Sequence, residues 1–209
     1  MAMDKLLKWG NDESLVGLLE RFCVVVQSPH WDEEEKRWLV DEYIKLGQRV
    51  EPILRDFILK KNETNYALMA YRKIVDEKAY KQILIDALKS RPPSDHRSVQ
   101  AKQEIIAAIN ELRDDSFIDL ILPYFHDHSD DVQCAAIDAL SKNRQENVTQ
   151  GLIDLLNSDV HSARVLRAAA NILVNEKIPI GNNVKLSDVV AEDFAVKSGE
   201  LVRLHHKES

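Results

Sequence analysis

The sequence predicts an all-α fold, a solenoid of about five antiparallel helix pairs ending in a short irregular or β-hairpin cap. Three observations carry this expectation. Glycine and proline are scarce, six of each in 209 residues. The alternation of β-branched residues that marks strands is almost absent before residue 178. One apolar pattern also recurs: VEPILRDFI, YKQILIDAL, FIDLILPYF and VTQGLIDLL, starting at Val50, Tyr80, Phe117 and Val148. Each has apolar residues at relative positions 1, 5, 8 and 9, one face of a helix of about 3.6 residues per turn. The starts lie 30, 37 and 31 residues apart, and the longest interval holds the loop RPPSDHR.

A second helix is expected after each first one. NYALMAYRKIV, VQAKQEIIAAI, DVQCAAIDAL and ARVLRAAANIL carry small residues at Ala70, Ala108, Ala135, Ala136, Ala168 and Ala169, which let neighbouring helices approach closely. Two helices of this length cannot bury their apolar faces alone, so the pairs must stack. The amino-terminal pair is read as DESLVGLLERFCVVVQ, capped by Asn11 or Asp12, and WDEEEKRWLVDEYIKLG, ending at Gly47. Its run Asp32–Glu35 suits a helix amino terminus, where carboxylates complement the macrodipole. After residue 177 the period breaks at Pro179, and the turn signals GNN and KSGE flank alternating FAV and LVRL segments, which fits a hairpin. The expected organisation is a helical domain over 1–177, with pairs near 4–47, 48–77, 78–113, 114–144 and 146–177, and a cap over 178–209.

Composition narrows the function classes. The hydrophobic share of 44% and charged share of 30% belong to a soluble folded chain. No stretch approaches the roughly 20 apolar residues of a membrane helix, and MAMDKLLKWGNDES lacks the apolar core of a secretory signal, so the cytoplasm is the expected location. Cys23 and Cys134 are read as buried free thiols. A net charge of -7 opposes binding to nucleic acid or anionic lipid.

The stretch DDVQCAAIDALSKNRQENVTQGLIDLL with its continuation SDVHSARVLRAAANIL resembles HEAT repeats, in particular the short repeats of phycobilisome-lyase-like proteins. The matching residues are Asp131 and Val132 at the turn, Ala135 and Ala136 in mid-helix, and Leu140 eight positions before Val148. The chain departs by carrying Gln133 where Arg is usual and Leu166 after Val165. The likeness is specific over 114–175 and looser over 48–113. It implies a right-handed α-solenoid whose second helices line a concave, partner-binding face. Projected onto those helices, the register gives two outward ladders: Trp38, Leu68, Gln103, Cys134 and Arg167, and Glu42, Arg72, Ala107, Asp138 and Asn171. Their mixed charge suits a protein or peptide. The residues taken as the candidate surface are Trp38, Glu42, Leu68, Arg72, Gln103, Asp138, Arg167 and Asn171.

The densest chemistry lies in FHDHSDD, residues 125–131, whose imidazoles and carboxylates are metal-ligand types. Aligned with LNSDV one repeat later, it reads instead as the turn and cap between paired helices. None of the seven histidines is read as repeating at the array period, and His205 and His206 are placed in a frayed tail. HEAT-like deoxyhypusine hydroxylases use His-Glu pairs as iron ligands, and this chain has no His-Glu dipeptide. HEAT-like DNA glycosylases need a basic groove, whereas Trp9, Trp31 and Trp38 stand among carboxylates. A stripe of Arg72, Lys142, Arg144, Arg164 and Arg167 would restore that reading. No complete catalytic motif is present, and no catalytic residue, metal or cofactor is assigned. The expected function is a non-enzymatic adaptor or regulatory subunit with a protein or peptide partner. A phycobilisome-lyase-like maturation factor is the alternative, ahead of a DNA glycosylase.

Overall fold

The computed structural model describes residues 2–204; His205 and His206 lie outside them. The chain divides into two compact units. The first spans Met1–Pro92 and Arg97–Ile109, the second Pro93–His96 and Asn110–Ser209.

In the first unit, α1 (Ala2–Trp9) and α2 (Asp12–Leu19) precede a 3-10 turn, Glu20–Cys23. The helix expected to run on through Gln27 stops here. Three consecutive β-branched valines disfavour a helix end without tertiary support, and Val24 is extended (φ -99°, ψ 133°). Asn11 is the cap, its side chain accepting the Ser14 amide at 2.8 Å. Helix α3 (Pro29–Leu46) starts with proline in its first turn, where no amide is missed, and ends at Gly47 (φ 62°). Tyr43 of α3, wholly buried, donates its hydroxyl to the Leu15 carbonyl at 2.5 Å. Burial pushes that phenol well above its usual pKa.

Helices α4 (Glu51–Lys60), α5 (Asn65–Ile74), α6 (Glu77–Lys89) and α7 (Val99–Leu112) follow. Two side chains close helix ends that would otherwise leave polar groups loose. The Glu104 carboxylate of α7 accepts the Thr64 amide at 2.5 Å, the Thr64 hydroxyl at 2.9 Å and the Asn65 amide at 2.8 Å, at the positive start of α5. The buried Arg91 guanidinium donates to Ile58 O, Lys61 O and Ala87 O, at the negative ends of α4 and α6.

In the second unit the FIDLILPYF segment is not one helix. A 3-10 turn at Asp115–Phe117 leads into α8 (Ile118–Ile121), and Leu122–His126 is 3-10 again. Pro123, with no amide to donate, prevents continuous α-helical bonding. Helices α9 (Asp130–Ala139), α10 (Glu146–Leu156) and α11 (Ala163–Asn175) follow. Gly151 of α10 lets the chain pass close by: a Cβ there would meet Leu122 and the Phe125 ring at 3.3 Å.

The carboxy end forms α12 (Asp188–Asp193), β1 (Phe194–Lys197) and β2 (Glu200–Arg203). The strands pair antiparallel, Phe194 with Arg203 and Lys197 with Glu200. Ser198 and Gly199 form their turn with positive φ of 52° and 82°, the handedness a two-residue hairpin needs. Val190, Phe194 and Leu201 are buried where this cap packs against α11. The hairpin expected from FAV, KSGE and LVRL is present. Among the described residues no helix is long and apolar enough to cross a membrane.

Candidate functional site

Four hydroxyl side chains mark the same structural position. Thr64, Ser98, Ser129 and Ser162 each offer a backbone carbonyl to the amide four residues on, at Leu68, Lys102, Gln133 and Leu166, with distances of 2.8 to 3.1 Å. The residues four beyond these hydroxyls are all buried. Equivalent positions one residue later are Met69, Gln103, Cys134 and Arg167, all partly exposed.

This register corrects the expected ladders at α5. Leu68 is 3% exposed and lies in the core of the first unit. Its equivalents are Lys102 and Gln133, so placing it beside Gln103 and Cys134 slips α5 by one residue, a rotation of about 100°. Arg72 carries the same slip, yet it is exposed and its guanidinium lies 5.6 Å from the centre of the Tyr80 ring. Trp38, Glu42 and Gln103 of the first unit are half-buried, with Glu42 accepting from Lys45 at 2.6 Å.

Asp138, Arg167 and Asn171 belong to the second unit. Asp138 is exposed. Arg167 and Asn171 line a cleft of about 300 Å³ with Asp193, Phe194, Arg203 and Leu204. Arg167 pairs with Asp193 at 2.7 Å and Glu192 at 3.2 Å, while Arg203 donates to Asn171 and lies over the Phe194 ring. The cap therefore grips the outward positions of α11, a long-range contact that no local pattern signals. Arg167 is 41% exposed, so each ion pair contributes no more than about 1 kcal/mol. The apolar residues hold the cap more firmly, at about 1.5–3 kcal/mol for each buried Val, Leu or Phe.

The FHDHSDD turn carries more order than a cap. Asp127 is buried and accepts the Ser129 amide at 2.9 Å; Ser129 itself makes no side-chain capping bond. The Gln133 amide nitrogen donates to Asp127 O, which fixes its Oε1 toward His161 Nδ1, 2.9 Å away. That nitrogen must carry the proton. His161 Nε2 is then the acceptor for His126 Nδ1, at 3.2 Å. His128 Nδ1 faces two acceptors, Pro93 O and Asp127 Oδ1, each at 3.2 Å, and the His96 and His128 rings lie 3.9 Å apart. These histidines pair across successive turns, correcting the expectation that none repeats with the array. Gln133, in place of the usual Arg, is the hinge of this network. Burial lowers the His161 pKa, and the nearby His126 adds to the effect against the opposing Asp130. Among the described residues, no group of three or more His, Cys, Asp or Glu is placed to hold a metal ion.

The cations considered for nucleic acid are largely occupied. Arg144 pairs with Glu176 at 2.7 Å, Arg164 with Asp131 at 2.5 Å, and Arg167 with two carboxylates. Both cysteines are free and half-buried rather than fully buried. Burial, followed by the nearby Glu63, pushes the Cys23 thiol up to about 11, and burial raises Cys134 as well, the opposite of a thiol activated for attack.

Sequence reading missed the Arg21 cluster. Arg21 binds Asp32 and Glu35, each at 2.6 Å, and Val24 O at 2.8 Å, while Lys36 meets Asp32 at 2.8 Å. Hydrogen bonds from Lys36 and then Arg21 hold the Asp32 carboxyl down to about 2. The only local signal was the Asp32–Lys36 spacing of four.

Residues 82–173 match the family model for HEAT repeats. No curated protein and no solved structure matches the chain.

Proposed function

We propose that this chain is a non-enzymatic, protein-binding adaptor or regulatory subunit that works in the cytoplasm. Its helix pairs are read as a right-handed α-solenoid of about five pairs whose second helices present the contact residues. The observation that supports this most directly is the shared register of Thr64, Ser98, Ser129 and Ser162, which keeps Gln103, Cys134 and Arg167 at one equivalent, partly exposed position. The HEAT repeats matched by residues 82–173 are commonly protein-interaction scaffolds. The occupied arginines favour a protein partner over nucleic acid.

The test is site-specific photo-cross-linking in native extract. A photoreactive residue at Gln103 or Asp138 should capture the same protein partner, whereas one at Gln82 or Gln150, on first helices, should not. Capture at neither second-helix position, together with substrate turnover by the purified chain, overturns the reading. The finer alternative, a phycobilisome-lyase-like maturation factor, predicts in addition that a titrated tetrapyrrole changes its absorbance spectrum on mixing.

A further inference from the structure

Trp31 and Trp38 lie seven residues apart on α3, two helical turns, so they share one face. Glu34 stands between them, three residues from Trp31, and Glu42 follows Trp38 by four. The stripe from Trp31 to Glu42 is about 17 Å long at 1.5 Å per residue. At its start the chain exposes Val24, Val25 and Val26, with Val25 81% and Trp31 68% exposed. Among the described residues the backbone of Val25 and Val26 makes no hydrogen bond. Arg21 holds this loop on the helix, binding Val24 O with one nitrogen and Asp32 and Glu35 with the others.

Carboxylates outnumber cations on this face, where Glu34 and Glu42 stand with the exposed cation Lys45. Arg21 and Lys36 are occupied by Asp32 and Glu35, and Arg37 by Glu33 at 2.6 Å. Glu34 is left with His30 at 3.2 Å, a cation only when protonated. Glu42 pairs with Lys45 at 2.6 Å, an exposed ion pair of the kind that contributes no more than about 1 kcal/mol and can be exchanged for another cation. Exposed aromatic and aliphatic surface is thus interleaved with carboxylates. A second copy of the chain would set Glu34 and Glu42 against themselves, and an anionic membrane would meet the same repulsion.

We propose that this stripe docks a Lys/Arg-rich amphipathic helix of another protein. Apolar residues of that helix, spaced three, four and seven apart, cover Trp31, Trp38 and Val25, and its cations meet Glu34 and exchange with Lys45 at Glu42. Trp31 is the anchor, since exposed tryptophans carry a disproportionate share of interface energy. The inference rests on the protein-binding reading for the class of partner, and places a contact outside residues 82–173.

The probe is a tryptophan-free 18-residue peptide of Leu and Lys with helical periodicity, alongside a counterpart with Glu in place of Lys. Both are titrated into the full chain while intrinsic tryptophan emission is followed. The Lys peptide should shift emission to the blue, bind at least tenfold more weakly when salt is raised from 50 to about 300 mM, and protect amides of residues 24–42 from hydrogen exchange. W31A should weaken binding at least tenfold and W9A should leave it unchanged. E34K should weaken the Lys peptide and admit the Glu peptide, so the idea does not depend on one variant. Equal binding by W31A, equal affinity for the Glu peptide, or protection confined to other segments overturns the proposal. So does a concentration-dependent dimer, or adhesion to phosphatidylserine vesicles, that protects residues 24–42 while the Lys peptide does not bind. Such a failure leaves cross-links at Gln103 and Asp138 untouched, so the two readings fail separately.

Discussion

His126 and His161 meet Nδ1 to Nε2 at 3.2 Å, and the second ring donates its Nδ1–H to Gln133 Oε1. Two turns from successive helix pairs are thereby joined by a directed chain of hydrogen bonds ending at Asp127 O. With the His126 proton on Nδ1 the chain requires a neutral His161, because protonating Nε2 sets two N–H groups against each other.

A pH dependence follows from that geometry. The His161 pKa is lower folded than unfolded, so the unfolded chain binds more protons between the two values and stability rises with pH there. The contribution is fully present above about 6.5, the unfolded value, and is lost as pH falls from there through the folded value. Thermal melts across pH 5 to 8 should show this slope, and H161F should flatten it. A slope unchanged in H161F would mean that another group is responsible.

Gln133 should be less tolerant of an apolar replacement than its equivalent position suggests. Leu166 occupies the matching site in α11 without difficulty, but Q133L removes the hydrogen bonds from Gln133 to Asp127 O and from His161 Nδ1–H to Gln133. The expected loss is about 1–3 kcal/mol in urea unfolding, and a loss below about 0.5 kcal/mol would show that the network is replaceable.

Arg21 is the second sensitive point. R21A leaves the Asp32 carboxylate with Lys36 alone and frees Val24 O, for an expected loss of about 2 kcal/mol. The Asp32 carboxyl, held down to about 2, contributes stability that is present above its unfolded value near 4 and fades as pH falls from there toward 2. D32N should remove that part of the acid transition, as followed by circular dichroism; an acid limb identical to wild type would refute the assignment.

The cap separates ionic from apolar contributions. R167A, which removes two exposed ion pairs, should cost no more than about 2 kcal/mol, whereas F194A, which empties a buried aromatic site, should cost about 3–5 kcal/mol. Hydrogen exchange over residues 188–204 should accelerate strongly in F194A and slightly in R167A. The reverse order would mean that the ion pairs, not the buried ring, hold the hairpin.

Much of this architecture was legible in the sequence because its determinants are local. The apolar spacing announced α4, α6 and α10, Asn11 and Gly47 marked helix ends, and KSGE predicted its turn. Reading failed where a local rule met a neighbour. Apolar spacing in FIDLILPYF suggested one helix, and Pro123 broke it. Leu68 looked like an outward residue because α5 was set one position out of step, an error that a hydroxyl at Thr64 could have exposed. The contacts His126–His161, Arg21–Asp32 and Arg167–Asp193 depend on chain segments brought together by folding, and residue type alone did not announce them. Of the candidate surface, Leu68 proved to be core, Arg167 and Asn171 lie against the cap, and the prominent exposed residues Val25 and Trp31 were passed over.

The four hydroxyls at Thr64, Ser98, Ser129 and Ser162 have a consequence for ancestry. Each begins its helix with the same backbone bond, so a stretch of chain from one to the next contains a complete starting signal and one full module. A genetic duplication or deletion spanning such a stretch rejoins like with like, and the array can lengthen or shorten without inventing a new junction.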